Sequence, residues 1–281
     1  PSAAARSLTT KHSNTVGMVI SDSANLFFSE MLRGVEDILH AEGYGLLVCN
    51  TDEVLAREAH YLDLLLRQRV DGIIAAATSQ RWTPLNEAAS QHTPIVFVDR
   101  RFPNMEGPYV GADNEGGARL GVEHLIARGY TEIGILAGFQ RLSTMRERLH
   151  GYHTALHAAG LPIRPGWVIP SHLTIEAGKQ AMRHLLTQPT RPQAVFVNNN
   201  LLMLGALLAL RELGMSVPRD VAIVGFDDHP WAAVADPPLT VVRQPAREIG
   251  QVAAEALCTL IDAQQPEAQE YILPCELVVR E

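Results

Sequence analysis

Three polar side chains in the second half of the chain could together bind a ligand rich in hydroxyl groups: Arg148, Asn199 and Asp227. Carboxylate and amide oxygens accept hydrogen bonds from hydroxyls, and a guanidinium donates two with fixed geometry. Each residue is predicted to lie at a strand end or at the start of the following helix, where open parallel sheets bind their ligands. The alternative is structural, with Asn199 capping a helix, Asp227 making a turn and Arg148 facing solvent. The residues by themselves leave both interpretations open.

A second group of residues, His150, His153 and His157, follows an HxxHxxxH spacing on one predicted helix. Two histidines four residues apart can share a metal ion. The buried stripe of this helix, however, runs through Tyr152 and Leu156, which places the histidines on its polar flank. We therefore favour a solvated helix face and predict no metal site.

Catalysis is not indicated by any motif in the sequence. There is no GxSxG elbow, HExxH helix, Walker lysine loop or GxGxxG turn. The neighbouring carboxylates Asp227 and Asp228 point to opposite sides of an extended chain, so they make a poor acid–base pair. We expect binding without chemistry, no catalytic residue and no cofactor.

The elements that would position these residues alternate between short apolar runs and amphipathic helices. The run Val221–Phe226 ends at Asp227, and the helix before it stops at Gly214. Roughly ten such units predict an α/β protein of two doubly wound parallel sheets. A (βα)₈ barrel is the alternative. In such a barrel a helix follows every strand, but no helix lies between the consecutive strands Val96–Asp99 and Tyr109–Gly111.

Further expectations concern individual elements. Gly34 lies inside the predicted helix Phe27–Glu42 at a cost of about 1 kcal/mol relative to Ala, which indicates that a neighbouring backbone comes close. A short helix is predicted at Pro84–Gln91. After a helix over Ala246–Ala263, the chain is predicted to end in a single strand near Tyr271–Val279.

Composition limits the classes of function. The chain has 281 residues, 47% of them hydrophobic. Its formal net charge is −8 and it has no basic stripe, so its main body is not expected to bind nucleic acid. Cys49, Cys258 and Cys275 are widely spaced, which favours a reducing compartment. No apolar run approaches the roughly 18 residues of a membrane span, and the first fifteen residues lack the apolar core of a signal peptide. We expect a cytoplasmic protein.

The stretch GALLALRELGMSVPRDVAIVGFDD, at Gly205–Asp228, closely resembles the lactose-repressor (LacI/GalR) family of bacterial transcription regulators. The combination of motifs is specific, and the resemblance extends over essentially the whole chain. The other motifs are VDGIIAAA at Val70–Ala77, VGADNEGGARLGVEHLIARG at Val110–Gly129, MRERLHGYHTAL at Met145–Leu156 and PPLTVVRQP at Pro237–Pro245.

The resemblance implies a periplasmic-binding-protein-like fold, with two lobes joined by three crossovers. The crossovers would fall near Gly129–Tyr130, Leu239–Gln244 and Asp262–Ala268. Residues 15–130 with 243–265 would form the N-terminal lobe, and residues 131–242 with 266–281 the C-terminal lobe. Residues 1–14 would be a remnant of the hinge helix and its linker.

The same resemblance implies roles for individual residues. Arg148, Asn199 and Asp227 match the family's effector-contacting arginine, asparagine and aspartate. Leu173 stands where several members place an aromatic ring, and Trp231 or Trp82 could substitute for that ring. The remaining expected effector-binding positions are Phe27 and Thr78 in the first lobe and Thr144 in the second.

The function implied is that of the effector-binding and dimerisation core of a repressor-type regulator. The effector would be a sugar or a sugar derivative. A homodimer would bind operator DNA through a helix-turn-helix that precedes this chain and through hinge helices, with Leu8 inserting between base pairs of the minor groove. No membrane partner is expected. The alternative is a periplasmic sugar-binding protein of an ABC transporter, which would instead carry an upstream signal peptide.

Overall fold

The computed structural model describes residues 13–78, 93–103, 105, 107–263 and 269–280. They form two compact units, each built from discontinuous stretches of chain. The first unit ends at Ala112 and resumes over Pro245–Leu273, and the second comprises Asp113–Gln244 and Pro274–Glu281. Three crossovers therefore connect the two units.

The described elements alternate between strands and helices along most of the chain. In order they are β1 (Thr15–Ile20), α1 (Leu26–Ala41), β2 (Gly45–Asn50), α2 (Leu55–Arg67), β3 (Gly72–Ala75), β4 (Ile95–Val98), β5 (Tyr109–Ala112), α3 (Asn114–Ala127), β6 (Ile133–Leu136), α4 (Ser143–Ala158), a 3₁₀ turn (Pro165–Trp167), β7 (Val168–Ile169), α5 (Ile175–Leu186), β8 (Ala194–Val197), α6 (Asn200–Leu213), β9 (Ala222–Phe226), α7 (Pro230–Val234), β10 (Val241–Arg243), α8 (Ala246–Ala263), β11 (Glu270–Leu273) and β12 (Glu276–Val278).

The first unit contains one parallel sheet in the order β11–β5–β4–β3–β1–β2. Helices cover both of its faces. The backbone of Gly17 in β1 lies against Leu65 of α2, and Gly72 in β3 lies against Leu257 of α8. Since Gly17 pairs with Ile73 and Gly72 with Val16, these contacts fall on opposite faces of the sheet.

The second unit contains a sheet in the order β12–β10–β9–β8–β6–β7, parallel except that β12 runs antiparallel to β10. Alternate residues of β8 enter two separate cores. Ala194 and Phe196 pack with α3 and α4, whereas Val195 and Val197 pack with α5 and α6. Both sheets are therefore doubly wound, as the apolar strands predict, and the barrel alternative is wrong.

Helices cross closely at glycines. A Cβ on Gly34 of α1 would lie 1.9 Å from the carbonyl oxygen of Arg247, and one on Gly250 of α8 would lie 2.0 Å from that of Met31. The predicted close approach at Gly34 is confirmed. Gly178 and Gly205 make the equivalent crossing of α5 and α6, with Cβ positions 2.6 and 2.1 Å from a partner backbone oxygen.

The structure differs from the sequence-based expectations at the crossovers and the C-terminus. The first crossover follows Ala112 rather than residue 130, because α3 packs on α4 and on β8–β10 of the second sheet. The single strand predicted near Tyr271–Val279 is two strands, since Pro274 interrupts it, β11 joins the first sheet and β12 the second. The third crossover lies at this break, after Leu273. The helix predicted at Pro84–Gln91 lies outside the described residues.

Candidate functional site

Arg148 is buried and fixed on several sides rather than facing solvent. It lies on α4 and is only 3% exposed. Its Nε donates to the Oδ1 of Asn114 at 2.8 Å, and its Nη1 donates to the backbone oxygen of Asn198 at 2.8 Å. The guanidinium carbon stands 3.7 Å from the centroid of the Phe226 ring, a cation–π contact. Within the described residues, these contacts do not involve Nη2, so this nitrogen could donate to a ligand.

Asn199 caps a helix, which is the structural role considered for it, and it also contacts Asp227. Its backbone is extended, and its Oδ1 accepts from the N–H groups of Leu201 and Leu202, so it is the N-cap of α6. Its Nδ2 points towards the carboxylate of Asp227, 3.5 Å away. The amide oxygen is occupied by the helix, and the amide nitrogen orients the carboxylate.

Asp227 is held in an unusual backbone conformation directly after β9. Its φ is +79°, a region that non-glycine residues adopt at a cost and that is frequent at binding sites. One carboxylate oxygen accepts from the N–H of Asn200 at the start of α6, where negative charge is favoured. The other accepts from the Nε2 of Gln244 at 2.6 Å.

Asp228 turns the other way, as predicted, although the positive φ of Asp227 means that the chain is not extended at this point. Its carboxylate lies 2.8 Å from Arg243 and 2.8 Å from Arg280, and the side chain is 9% exposed. This ion-pair cluster stabilises the unit, and it leaves Asp227 as the carboxylate that faces the site.

The second unit therefore brings Arg148, Asn199 and Asp227 together at the carboxyl edge of its sheet. Arg148 bonds the backbone of Asn198, and the next residue, Asn199, approaches Asp227. The cluster offers one guanidinium NH₂ group and one carboxylate in fixed orientations. Such a pair of donor and acceptor matches hydroxyl groups, each of which can both donate and accept.

Sequence reasoning missed three further polar residues of this cluster: Asn114, Asn198 and Gln244. The Oδ1 of Asn198 and the Oε1 of Gln244 are buried and have no hydrogen-bond partner among the described residues. Buried acceptors without partners are rare and call for an explanation, and a bound ligand would supply one. Asn198 and Gln244 each directly follow a strand, so the strand-end rule used for Asp227 would have found them.

His229, next to Asp228, also borders the cluster. Its Nε2 contacts the amide nitrogen of Asn200. Burial lowers the pKa of His229, although the nearby charges of Asp227 and Asp228 act in the opposite direction. The ring is therefore neutral near pH 7.

The other predicted residues of the second unit have different surroundings. Thr144 is buried in the first turn of α4, one turn before Arg148. Leu173 packs against the core and against Gly138. Trp231 packs against the same core, which argues against its substituting for a stacking ring. Near Leu173, Phe139 and His172 stack at 4.7 Å, an aromatic pair that the sequence reasoning missed.

In the first unit, Phe27 and Thr78 have well-defined surroundings. Phe27 is half-buried and stands edge-on to Phe28, with ring centroids 5.2 Å apart. The hydroxyl of Thr78 is 3.0 Å from that of Thr51, and its backbone N–H donates to the carboxylate of Glu58. Burial raises the pKa of Glu58, and the hydrogen bonds from Thr78 oppose that rise. Leu8 and Trp82 lie outside the described residues.

Another polar cluster of the first unit was also missed. Arg100 directly follows the strand-end residue Asp99 and is buried. Its guanidinium forms a two-pronged ion pair with Glu53 and also donates to the hydroxyl of Ser21. Arg100 is therefore occupied by partners of its own unit.

The histidines of α4 do not form a common site. The Nδ1 of His150 lies 2.9 Å from the carboxylate of Glu115 on α3. The pKa of His153 is lowered by its burial and then by the charge of His150. Among the described residues, no three His, Cys, Asp or Glu side chains are grouped so that they could hold a metal ion.

Comparisons with known proteins agree with this architecture. Residues 122–281 match the family model of a periplasmic binding protein-like domain. The HTH-type transcriptional repressor PurR of Aliivibrio salmonicida is 32% identical to this chain, and the match covers all of this chain and 84% of that protein. The ribose operon repressor of Escherichia coli is 35% identical, and the match covers all of this chain and 85% of that protein. A LacI-family regulator from Enterococcus faecium, whose structure was solved with bound ribose, is 29% identical in sequence. The structural match covers 95% of this chain and 97% of that chain, with a TM-score of 0.84.

Two doubly wound units with polar residues at a strand edge, together with these relatives, define a ligand-sensing core of the periplasmic-binding-protein type. The chain belongs to the LacI family of transcriptional repressors, and it is the ligand-sensing core of such a repressor. The predicted family is confirmed, and the transporter alternative is not supported. None of the described helices is long and apolar enough to cross a membrane.

Proposed function

We propose that the effector is a small sugar, and that the second unit binds its hydroxyl groups through Arg148 and Asp227. The observation that carries this proposal is the pairing of a guanidinium with one free nitrogen and a carboxylate, both fixed by neighbouring residues. The buried oxygens of Asn198 and Gln244 add acceptors for further hydroxyls. Phe27, Thr78, Thr144 and Leu173 complete the proposed set of effector-binding residues, with Asn199 acting mainly through Asp227.

The identity of the first sugar to test follows from the relatives. One is a ribose operon repressor and another was solved with bound ribose. Leu173 offers no ring for stacking, so recognition would rest on the polar groups of Arg148 and Asp227. We therefore take D-ribose as the first candidate effector.

The proposal is tested by calorimetric titration with D-ribose, and with guanine as a planar comparison. Replacing Asp227 by Asn removes a charged acceptor, so we expect D-ribose affinity to fall by about 10- to 100-fold. The matched control is Asp228→Asn, which alters the neighbouring carboxylate and should leave affinity unchanged below its melting temperature. Binding of guanine but not of D-ribose or other sugars to the wild-type protein would contradict the proposal.

We further propose that the chain acts by binding alone, without catalysis, in the cytoplasm. Effector and operator would each shift the equilibrium between the same two conformations of the regulator, and reciprocal allostery requires such a shared equilibrium. The output would pass through the hinge at Leu8 to a helix-turn-helix, and the similarity to PurR, an HTH-type repressor, supports such a domain. In the complete regulator, D-ribose should change operator affinity, and Asp227→Asn should abolish that response.

A homodimer is proposed as the working assembly. The edge strand β2 and the start of α2 expose neighbouring large apolar side chains, among them Leu47, Val48 and Leu55. Exposed apolar residues along an unpaired strand edge are typical of an interface. A two-fold dimer would use the same surface on both copies.

A further inference from the structure

Asn114 makes a tertiary contact that its place in α3 does not require. It is the first residue of the helix, but the preceding Asp113 is the N-cap and accepts from the N–H of Gly116 at 2.8 Å. The side chain of Asn114 is therefore not needed to cap the helix. It is 2% exposed and reaches across to α4, where its Oδ1 accepts from the Nε of Arg148 at 2.8 Å.

The orientation of this amide is determined by two residues of α4, Arg148 and Glu147. The Nδ2 of Asn114 donates to the carboxylate of Glu147 at 3.1 Å. An arginine can only donate and a carboxylate can only accept, so a reversed amide would lose both bonds. Glu147 thus holds Asn114 with its oxygen towards Arg148.

The contacts of Arg148 divide its donors between structure and ligand. Nε is bound by Asn114, Nη1 by the backbone oxygen of Asn198, and one face of the guanidinium lies on Phe226. A long side chain that is already ordered loses little conformational freedom when a ligand binds. Without the hydrogen bond that its Nε donates to Asn114, the guanidinium would be held only by Asn198 and Phe226, and the direction of Nη2 would be less well fixed.

We propose that Asn114 is a positioning residue for effector binding, which holds Arg148 so that Nη2 meets a ligand hydroxyl. This inference rests on the proposed function for the part that concerns a sugar. It goes further in naming a residue that would not touch the effector and yet would determine its affinity.

The test uses three variants of the whole chain. Asn114→Leu removes the acceptor at similar volume. Asn114→Asp keeps the acceptor but places a second negative charge beside Glu147, so it is combined with Glu147→Gln. Glu147→Gln alone is the matched control, because its amide oxygen can still accept from Asn114.

Two readouts are measured. Calorimetry should show that the affinity for D-ribose falls roughly tenfold in Asn114→Leu, as expected when a charged hydrogen bond loses its alignment. The affinity should recover when Asn114→Asp is combined with Glu147→Gln. In the unliganded protein, the Nε–H signal of Arg148 in ¹H–¹⁵N spectra, assigned by its loss in Arg148→Lys, should be sharp and slow to exchange. That signal should weaken in Asn114→Leu and return in the double variant.

A residue with only a structural role would lower the melting temperature of Asn114→Leu without changing D-ribose affinity below that temperature. That result, or an unchanged Nε–H signal in Asn114→Leu, would overturn the inference. If the wild-type protein binds no D-ribose, the proposed effector is wrong. The spectra of the unliganded variants then decide the positioning role separately.

Discussion

Asp227 and Asp228 are adjacent, but their carboxylates have different surroundings. Asp227 faces the candidate site and accepts from Gln244, whereas Asp228 is paired with two arginines. The alternation of an extended chain predicted this divergence, but Asp227 has a positive φ, so the bend after β9 rather than strand alternation separates the two carboxylates. The capping role of Asn199 was one of the predicted alternatives, but its contact with Asp227 could not be predicted, since it depends on backbone angles at the helix start. Nor could the pairing of Asn114 with Arg148, because it joins residues on two helices whose packing the sequence does not specify.

Glu58 gives a prediction at the scale of the residue. The residue is 1% exposed, and burial raises the pKa of its carboxyl above the ordinary 4.5. The folded state therefore holds the proton more tightly than the unfolded state does. The stability of the fold should fall as pH rises from the ordinary value through the raised one.

Glu58→Gln should remove this dependence, because the amide oxygen still accepts from the N–H of Thr78 and carries no charge. We expect the melting temperature of the variant to match wild type near pH 4 and to exceed it at pH 7. Thermal unfolding monitored by circular dichroism across that range measures the difference. A variant less stable than wild type at pH 7 would show that the charge of Glu58, through Arg100, is favourable.

At the scale of the element, apolar runs predicted most strands, and glycines after the helices predicted where several helices end. Gly43, Gly129, Gly160 and Gly214 all have positive φ. The end of the chain was harder to predict, because β11 and β12 resemble one apolar run divided by Pro274. Which sheet each strand joins depends on long-range pairing that local sequence does not encode.

The glycine crossing of α1 and α8 gives the second prediction. Gly250→Ala would place a methyl group 2.0 Å from the backbone oxygen of Met31, so the helices must separate. Overpacking of this kind typically costs about 1–3 kcal/mol. Urea denaturation should show a loss of that size.

Gly166→Ala is the control for this crossing. Its new methyl group would meet only Gln188, at an ordinary 3.5 Å. The stability of this variant should stay within about 0.5 kcal/mol of wild type, as for most surface changes. Equal losses in the two variants would mean that the close crossing is not the cause.

At the scale of the whole molecule, the proposed dimer surface makes the third prediction. Val48 is 44% exposed on the edge strand β2. Val48→Lys would place a charge on this edge, a device that blocks strand-edge association. Sedimentation at micromolar concentration should show a dimer for wild type and a monomer for the variant.

Ile163→Lys changes a similarly exposed residue of the second unit, 42% exposed, and serves as its control. This variant should remain dimeric. A dimer that persists in Val48→Lys would place the interface elsewhere, and a wild-type monomer would remove the dimer itself.

The discontinuous units have a consequence for synthesis on the ribosome. The helix α1 emerges early, but the helix that crosses it at Gly34, α8, is encoded more than two hundred residues later. At about 5–20 residues per second, the apolar side of α1 waits roughly 10–40 s for its partner. When α8 emerges, the second unit already has all of its chain except the last strand, β12. The first unit is therefore completed after most of the second unit, although most of its own residues precede that unit in the chain.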